Sequence, residues 1–346
     1  MDDAVVLAEG VLGSTYGKTA NGLVRYTRRY SVKGVIDSTK AGMDAGIVVE
    51  GKRKGIPVVR NIDEILGSGV DTLVIGIATD GGYLPPEYRK TVREAIEGGL
   101  NVVSGLHEFL SDDPEFSHLA RKHGIRITDV RKMFREMKQP FTGRIREVKA
   151  SRIAVLGTDS AIGKRTTSVI LNNTLKSSGE KSAMVGTGQT AWMQGIEHTV
   201  VVDSMINDFI PGNLEWNTLQ AWEDGNPDFL FIEGQGSVLH PAYPGSFEII
   251  GACRPTAIIL QHAPKRKYFD GFEEFEIPPV EKYIKILELL SNSPVIAISL
   301  NTENMGREEI KEQIPLLESR YGIPVFDPLS GDISNAVESI RKELIQ

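Results

Sequence analysis

The strongest constraint on this chain is the stretch GTDSAIGKRTTS, residues 157–168. It follows the apolar run RIAVL, residues 152–156, and precedes the apolar VIL of residues 169–171, so it reads as a strand, a glycine turn and a helix start. In such a turn successive backbone N–H groups converge on one point and the helix N-terminus adds partial positive charge, which together make a phosphate cradle. Gly157 and Gly163 permit backbone angles and close approach that a Cβ would forbid. Lys164 reaches the same oxygens, and Thr158, Asp159, Thr166 and Thr167 complete the candidate cofactor-binding set. The spacing departs from G-x-x-x-x-G-K-[ST], because five residues separate the glycines and Arg165 stands where the magnesium-binding hydroxyl normally follows the lysine.

Short apolar runs alternating with amphipathic segments predict an α/β fold with mostly parallel sheets. At 346 residues the chain accommodates two domains of ~150 residues each. Candidate strands in the first part are Ala4–Ala8, Lys33–Asp37, Pro57–Arg60, Thr72–Ala78, Asn101–Gly105 and Arg126–Val130, with a helix over Pro85–Gly98. The alternation stops at residues 132–149, a basic stretch containing Pro140 and Gly143 that reads as a linker, and restarts at Ile153. The expectation is therefore a Rossmann-like parallel-sheet domain over 1–131, the basic linker, and a P-loop NTPase-like α/β domain over 150–346 that ends in a helix near Asp332–Ile345.

A net charge of −7 supplies no electrostatic footprint for nucleic acid, and the single cysteine, Cys253, excludes an intrachain disulfide framework and a cysteine-rich metal site. No apolar run approaches the ~18 residues of a membrane span. The first residues, MDDAVV, carry no basic leader, so a cytoplasmic protein is expected.

The second half holds the remaining chemistry. A buried strand ending in an acid and glycines, as in DFLFIEGQGS at 228–237, places a carboxylate beside a phosphate loop, which makes Glu233 a candidate catalytic base. If magnesium is used, Thr166, Asp203 and Glu233 are its candidate ligands. His240 is a second candidate base, on a loop after a core strand. Lys265, Arg266 and Lys267 offer cations to carboxylates or phosphates. The N-terminal glycine turn, residues 10–19, lacks G-x-G-x-x-G, and its reading stays open between nucleotide or CoA binding and a structural role.

Two resemblances sharpen this. GTDSAIGKRT and FIEGQGS are similar to the phosphate loop and the Glu-Gly-x-Gly strand end of dethiobiotin synthetases and cobyrinate amidotransferase domains; IAISLN, residues 296–301, resembles their strand whose Asn helps recognise a purine, which implies that role for Asn301. Across essentially the whole chain, LAEGVLGSTYGKTANGLVRY, GTD-x3-GK-x-TT, EGQGS, the His-Pro pair 240–241 and LQHAPKRKYFDG resemble the two-domain family that includes bacterial D-glutamate N-acetyltransferases. In that family Arg after the lysine is no departure. The resemblance implies acetyl transfer from acetyl-CoA to a small acidic amino acid. An ATP- and magnesium-dependent ligase or kinase, dethiobiotin-synthetase-like, is the alternative, and a non-catalytic nucleotide-binding regulator the third reading. The expected partners are thus a small-molecule substrate and acetyl-CoA or ATP, with no nucleic acid and no membrane; a homo-oligomer stays open.

Overall fold

The computed structural model describes residues 1–329 and 332–343. Its strands, in chain order, are β1 (Asp2–Leu7), β2 (Tyr30–Ile36), β3 (Val58–Val59), β4 (Thr72–Ile75), β5 (Asn101–Ser104), β6 (Ile127–Asp129), β7 (Ser151–Gly157) and β8 (Ser182–Gly186). They continue with β9 (His198–Thr199), β10 (Phe229–Glu233), β11 (Ala257–His262), β12 (Tyr268–Phe269), β13 (Phe272–Glu276), β14 (Val295–Leu300) and β15 (Val325–Phe326).

The six strands of the first sheet run in the order β3-β2-β1-β4-β5-β6, all parallel. This is the doubly wound order of a Rossmann domain. Strands buried on both faces need near-continuous apolar runs, and β1 and β4 supply them with Val5, Leu7, Leu73 and Ile75, all at 1% exposure or less. Helices cover the sheet, among them Arg89–Glu97, which the pattern predicts as Pro85–Gly98; its first turn is instead a 3-10 turn at Pro86–Tyr88.

The second sheet has seven parallel strands in the order β15-β14-β11-β7-β10-β8-β9. Strand β7 sits at its centre between β10 and β11, so the turn after Gly157 opens where the ends of three adjacent strands meet. Ala154, Leu156, Ile232, Ile258 and Leu260 pack into the core of this sheet. The small antiparallel pair β12-β13 stands apart from it.

By contact the chain forms two compact units. One holds residues 1–136 together with Gln189–Ile196, and the other Met137–Gly188 with the rest. The excursion Gln189–Ile196 is tied into the first unit by Thr190 to Thr19, Arg131 to Gln189 and Gln194 to the carbonyls of Gly22 and Tyr26. Part of the basic stretch 132–149 docks within the second unit. Glu215 accepts from the backbone N–H and hydroxyl of Thr142 and from the N–H of Ile145, docking the segment on helix Ile210–Gly225. The last described helix is Ser334–Lys342; the expected end at Ile345 lies outside the described residues. Among the described residues no helix is long and apolar enough to cross a membrane.

Candidate functional site

The turn after β7 leads straight into helix Lys164–Ser177. Ala161 (φ 50°) and Gly163 (φ 100°) both adopt left-handed backbone, the kind of bend that forms anion-binding nests. The N–H of Thr158 donates to the Gln261 carbonyl and that of Ser160 to Asp159 Oδ1. Those of Ala161, Ile162, Gly163, Arg165 and Thr166 donate to nothing within the described protein. A run of open N–H groups at a helix start is an anion cradle.

Lys164 is buried, and its Nζ donates to the Asp159 carbonyl at 2.6 Å. Its stem runs between two glycines. A Cβ at Gly157 would lie 3.2 Å from Lys164 Nζ, and one at Gly234 would lie 2.9 Å from its Cδ and 2.2 Å from the Val155 carbonyl oxygen. Glycine at 234 is thereby required by contact.

Arg165 turns toward Glu233 at the end of β10, with Nη1 3.8 Å from Oε1. Glu233 Oε2 accepts the N–H of Thr187 at 2.9 Å, and the Thr187 hydroxyl donates to the Glu233 carbonyl. Burial raises the Glu233 pKa, opposed by Arg165, the Thr187 N–H and Lys164, and assisted by the charge of Asp203. In the arrangement expected for magnesium, a hydroxyl follows the lysine and a strand-end carboxylate faces it. Here a guanidinium fills that place and meets the carboxylate directly. Thr166 is half-buried and Asp203 exposed. The His and carboxylate atoms that do converge, within 4.8 Å among the described residues, belong to Glu197, His198 and Asp224 at the surface.

Several predicted residues have other occupations. Thr167 is fully buried, its hydroxyl donating to Gln261 Oε1 at 2.6 Å with Ser299 Oγ at 3.1 Å, so it braces the helix against β11 and β14. The Asp159 carboxylate accepts from Ser160 N, Asp270 N and Arg266 Nη1 and is spent on the protein itself. Asn301 donates Nδ2 to the Ile162 carbonyl and accepts from Glu303 N, which holds the phosphate loop from behind. The basic run is paired as well: Lys265 with Glu309, Arg266 with Asp159 and Glu303, Lys267 with Glu276.

His240 turns its ring lone pair to the backbone. Its Nδ1 accepts two backbone N–H groups, from Ala242 and Tyr243, both at 3.1 Å, so its proton sits on Nε2, 3.5 Å from Asp159 Oδ1. Its side chain is inaccessible and burial lowers its pKa, against the charges of Asp159 and Asp270. It offers a proton and no lone pair. His262, whose Nδ1 lies 3.1 Å from the Thr158 hydroxyl, is pulled down to about 4 by burial and stays neutral. Glu233 is left as the carboxylate beside the cradle.

The sequence matches two domain models with this geometry: a Rossmann-like domain of unknown function, DUF1611_N, over residues 38–133, and its P-loop partner, DUF1611, over 139–337. The chain belongs to the DUF1611 family. A crystal structure of a DUF1611 family protein from Anabaena variabilis ATCC 29413 superposes with a TM-score of 0.91 at 29% identity, covering 99% of this chain and 100% of that one. Two relatives are named D-glutamate N-acetyltransferase: one from Tritonibacter scottomollicae, 31% identical over 81% of this chain and 84% of its own, and one from Pseudoalteromonas, 32% identical over the same shares. In this DUF1611 member the residue beside the cradle that no spacing rule anticipates is Thr187, which only long-range contact brings to Glu233, and Gln235 Nε2 donates to its carbonyl.

Proposed function

We propose that this DUF1611 protein transfers an acetyl group from acetyl-CoA to the amine of an acidic amino acid, D-glutamate before others. The observation that carries the reading is the Arg165–Glu233 pair beside the open cradle, because it provides fixed positive charge for phosphates where a cleaving enzyme would place a metal. Acetyl-CoA carries a pyrophosphate as a handle that the reaction leaves intact. The names of the two relatives point to the same chemistry.

In this mechanism Lys164, Arg165 and the N–H groups of residues 161–163 hold the pyrophosphate. With the pantetheine arm folded back so that the thioester lies near the phosphate cradle, Glu233, its carboxylate oriented by the Thr187 N–H, takes a proton from the substrate ammonium. The freed amine attacks the thioester carbonyl, the C–N bond forms, the C–S bond breaks and CoA leaves as the thiol once it has gained the second amine proton. Burial raises the Glu233 pKa, bringing it closer to that of a working base.

The test is thiol release from acetyl-CoA with D-glutamate, L-glutamate and D-aspartate in turn, with EDTA present. Thiol release with D-glutamate is expected. No release with any acidic amino acid, together with magnesium-dependent ADP formation from ATP and a small acid, would replace this reading with a ligase or kinase.

A further inference from the structure

Asn301 is held by Ile162 and Glu303 as a support of the phosphate loop, and a base carried by a ligand on the cradle also wants an apolar face to stack on. The second unit presents one. The pair β12-β13 is anchored to the phosphate loop at its turn: Asp270 N donates to Asp159 at 3.1 Å, and Ser160 Oγ donates to Asp270 Oδ2 at 2.9 Å. From that anchor a chain of aromatic rings leads outward. His240 lies 4.7 Å from Tyr243 and 5.6 Å from Phe272; Tyr243 is 6.4 Å from Phe272, and Phe272 is 6.5 Å from Phe275.

The inner rings are packed, but Tyr243 is 54% and Phe275 50% exposed. Exposed aromatic rings in a row beside a charged cradle are a base-stacking platform. Its base is rigid. Gly236, at φ 52°, sits so close to the Tyr243 carbonyl that a Cβ would lie 1.7 Å from it, and the Ser237 N–H donates to that carbonyl. Glu273 and Glu274 flank the ridge, are exposed and make no ion pair among the described residues, and supply acceptors for an exocyclic amine. We infer that the ridge of Tyr243, Phe272 and Phe275 seats the purine base of the phosphate-bearing ligand. The inference deepens the acetyl-CoA reading and rests on its placement of the phosphates.

The test compares CoA, ADP and 4′-phosphopantetheine, which lacks the base, by calorimetry on the full chain. Phe275→Ala and Tyr243→Ala should each weaken CoA and ADP about tenfold, the scale of one lost stacking contact. Phosphopantetheine should bind wild type and variants alike, and Phe275→Trp should restore CoA binding. Phe275→Leu, which keeps apolar bulk without a ring, guards against a folding effect, as does an unchanged melting temperature. CoA affinity unmoved by the ring variants but weakened by Lys164→Ala would overturn this inference alone. Equal weakening of phosphopantetheine would overturn it too. If Lys164→Ala also leaves CoA affinity unmoved, the placement of the phosphates fails with it.

Discussion

The molecule contains two glycine turns in the same local setting, each between a central parallel strand and a helix, and they have opposite fates. In the first, between β1 and helix Lys18–Arg25, the protein consumes the turn itself. Leu12 donates to the Asp37 carboxylate, Gly13 to Asn21, Val11 to the Ala8 carbonyl and Ser14 to that of Val11. In the second, between β7 and helix Lys164–Ser177, five N–H groups find no such acceptor among the described residues, because the one carboxylate in the turn, Asp159, is drawn toward Arg266 and Asp270. A glycine turn before a helix is thus a site only when neighbouring side chains leave its donors open. Asp37, at the strand end where a Rossmann domain binds ribose hydroxyls, serves here as an internal anion.

The contrast can be broken most forcefully at Glu233. Glu233→Gln keeps size and removes the base, and turnover should fall about 10²–10⁴-fold. CoA affinity should change far less, and the melting temperature little. A variant with full turnover would return the role of base to another group.

Next in size is Lys164→Ala, which should weaken CoA by ~1.5–3 kcal/mol, the worth of a charge-assisted hydrogen bond. Titration calorimetry reads it directly. Equal affinity in the variant would mean that the second turn is as closed as the first.

Asp37→Asn tests the other side of the comparison. Loss of the buried carboxylate should cost roughly 1–3 kcal/mol of stability and leave CoA affinity alone. The pH dependence has a defined sign. Burial pushes the Asp37 pKa up, but Thr39, Lys40 and the N–H groups of Gly10 and Leu12 outweigh it and leave it lowered. Its contribution is therefore complete above the unfolded value of about 3.9 and is lost as pH falls through that value toward the folded one. Urea unfolding at stepped pH should show a shallower acid loss in Asp37→Asn. A weakened CoA affinity in this variant would instead bring the first turn into the ligand site.

Much of this was legible before the structure, and for a physical reason. Parallel strands are buried on both faces, so β4, β7 and β10 announce themselves as apolar runs, and the glycines and lysine of the second turn lie within a few residues of each other. What stayed hidden depends on partners far away in sequence. Whether the ring lone pair of His240 is free is decided by two backbone N–H groups; how the Asn301 amide is turned is decided by the Ile162 carbonyl. The excursion Gln189–Ile196 into the first unit has no compositional signal at all, since its helix is apolar whichever core receives it. The platform on β12-β13 was obscured because FEEFE, residues 272–276, reads as a solvated charged strand.

The central claim is that the second turn holds phosphates with a cation of its own, Arg165, held beside Glu233. Calorimetric titration of CoA into the protein, once in EDTA and once in magnesium, tests it most directly. The account predicts the same affinity in both. Binding that appears only with magnesium would contradict it, since the guanidinium would then not stand in for the metal.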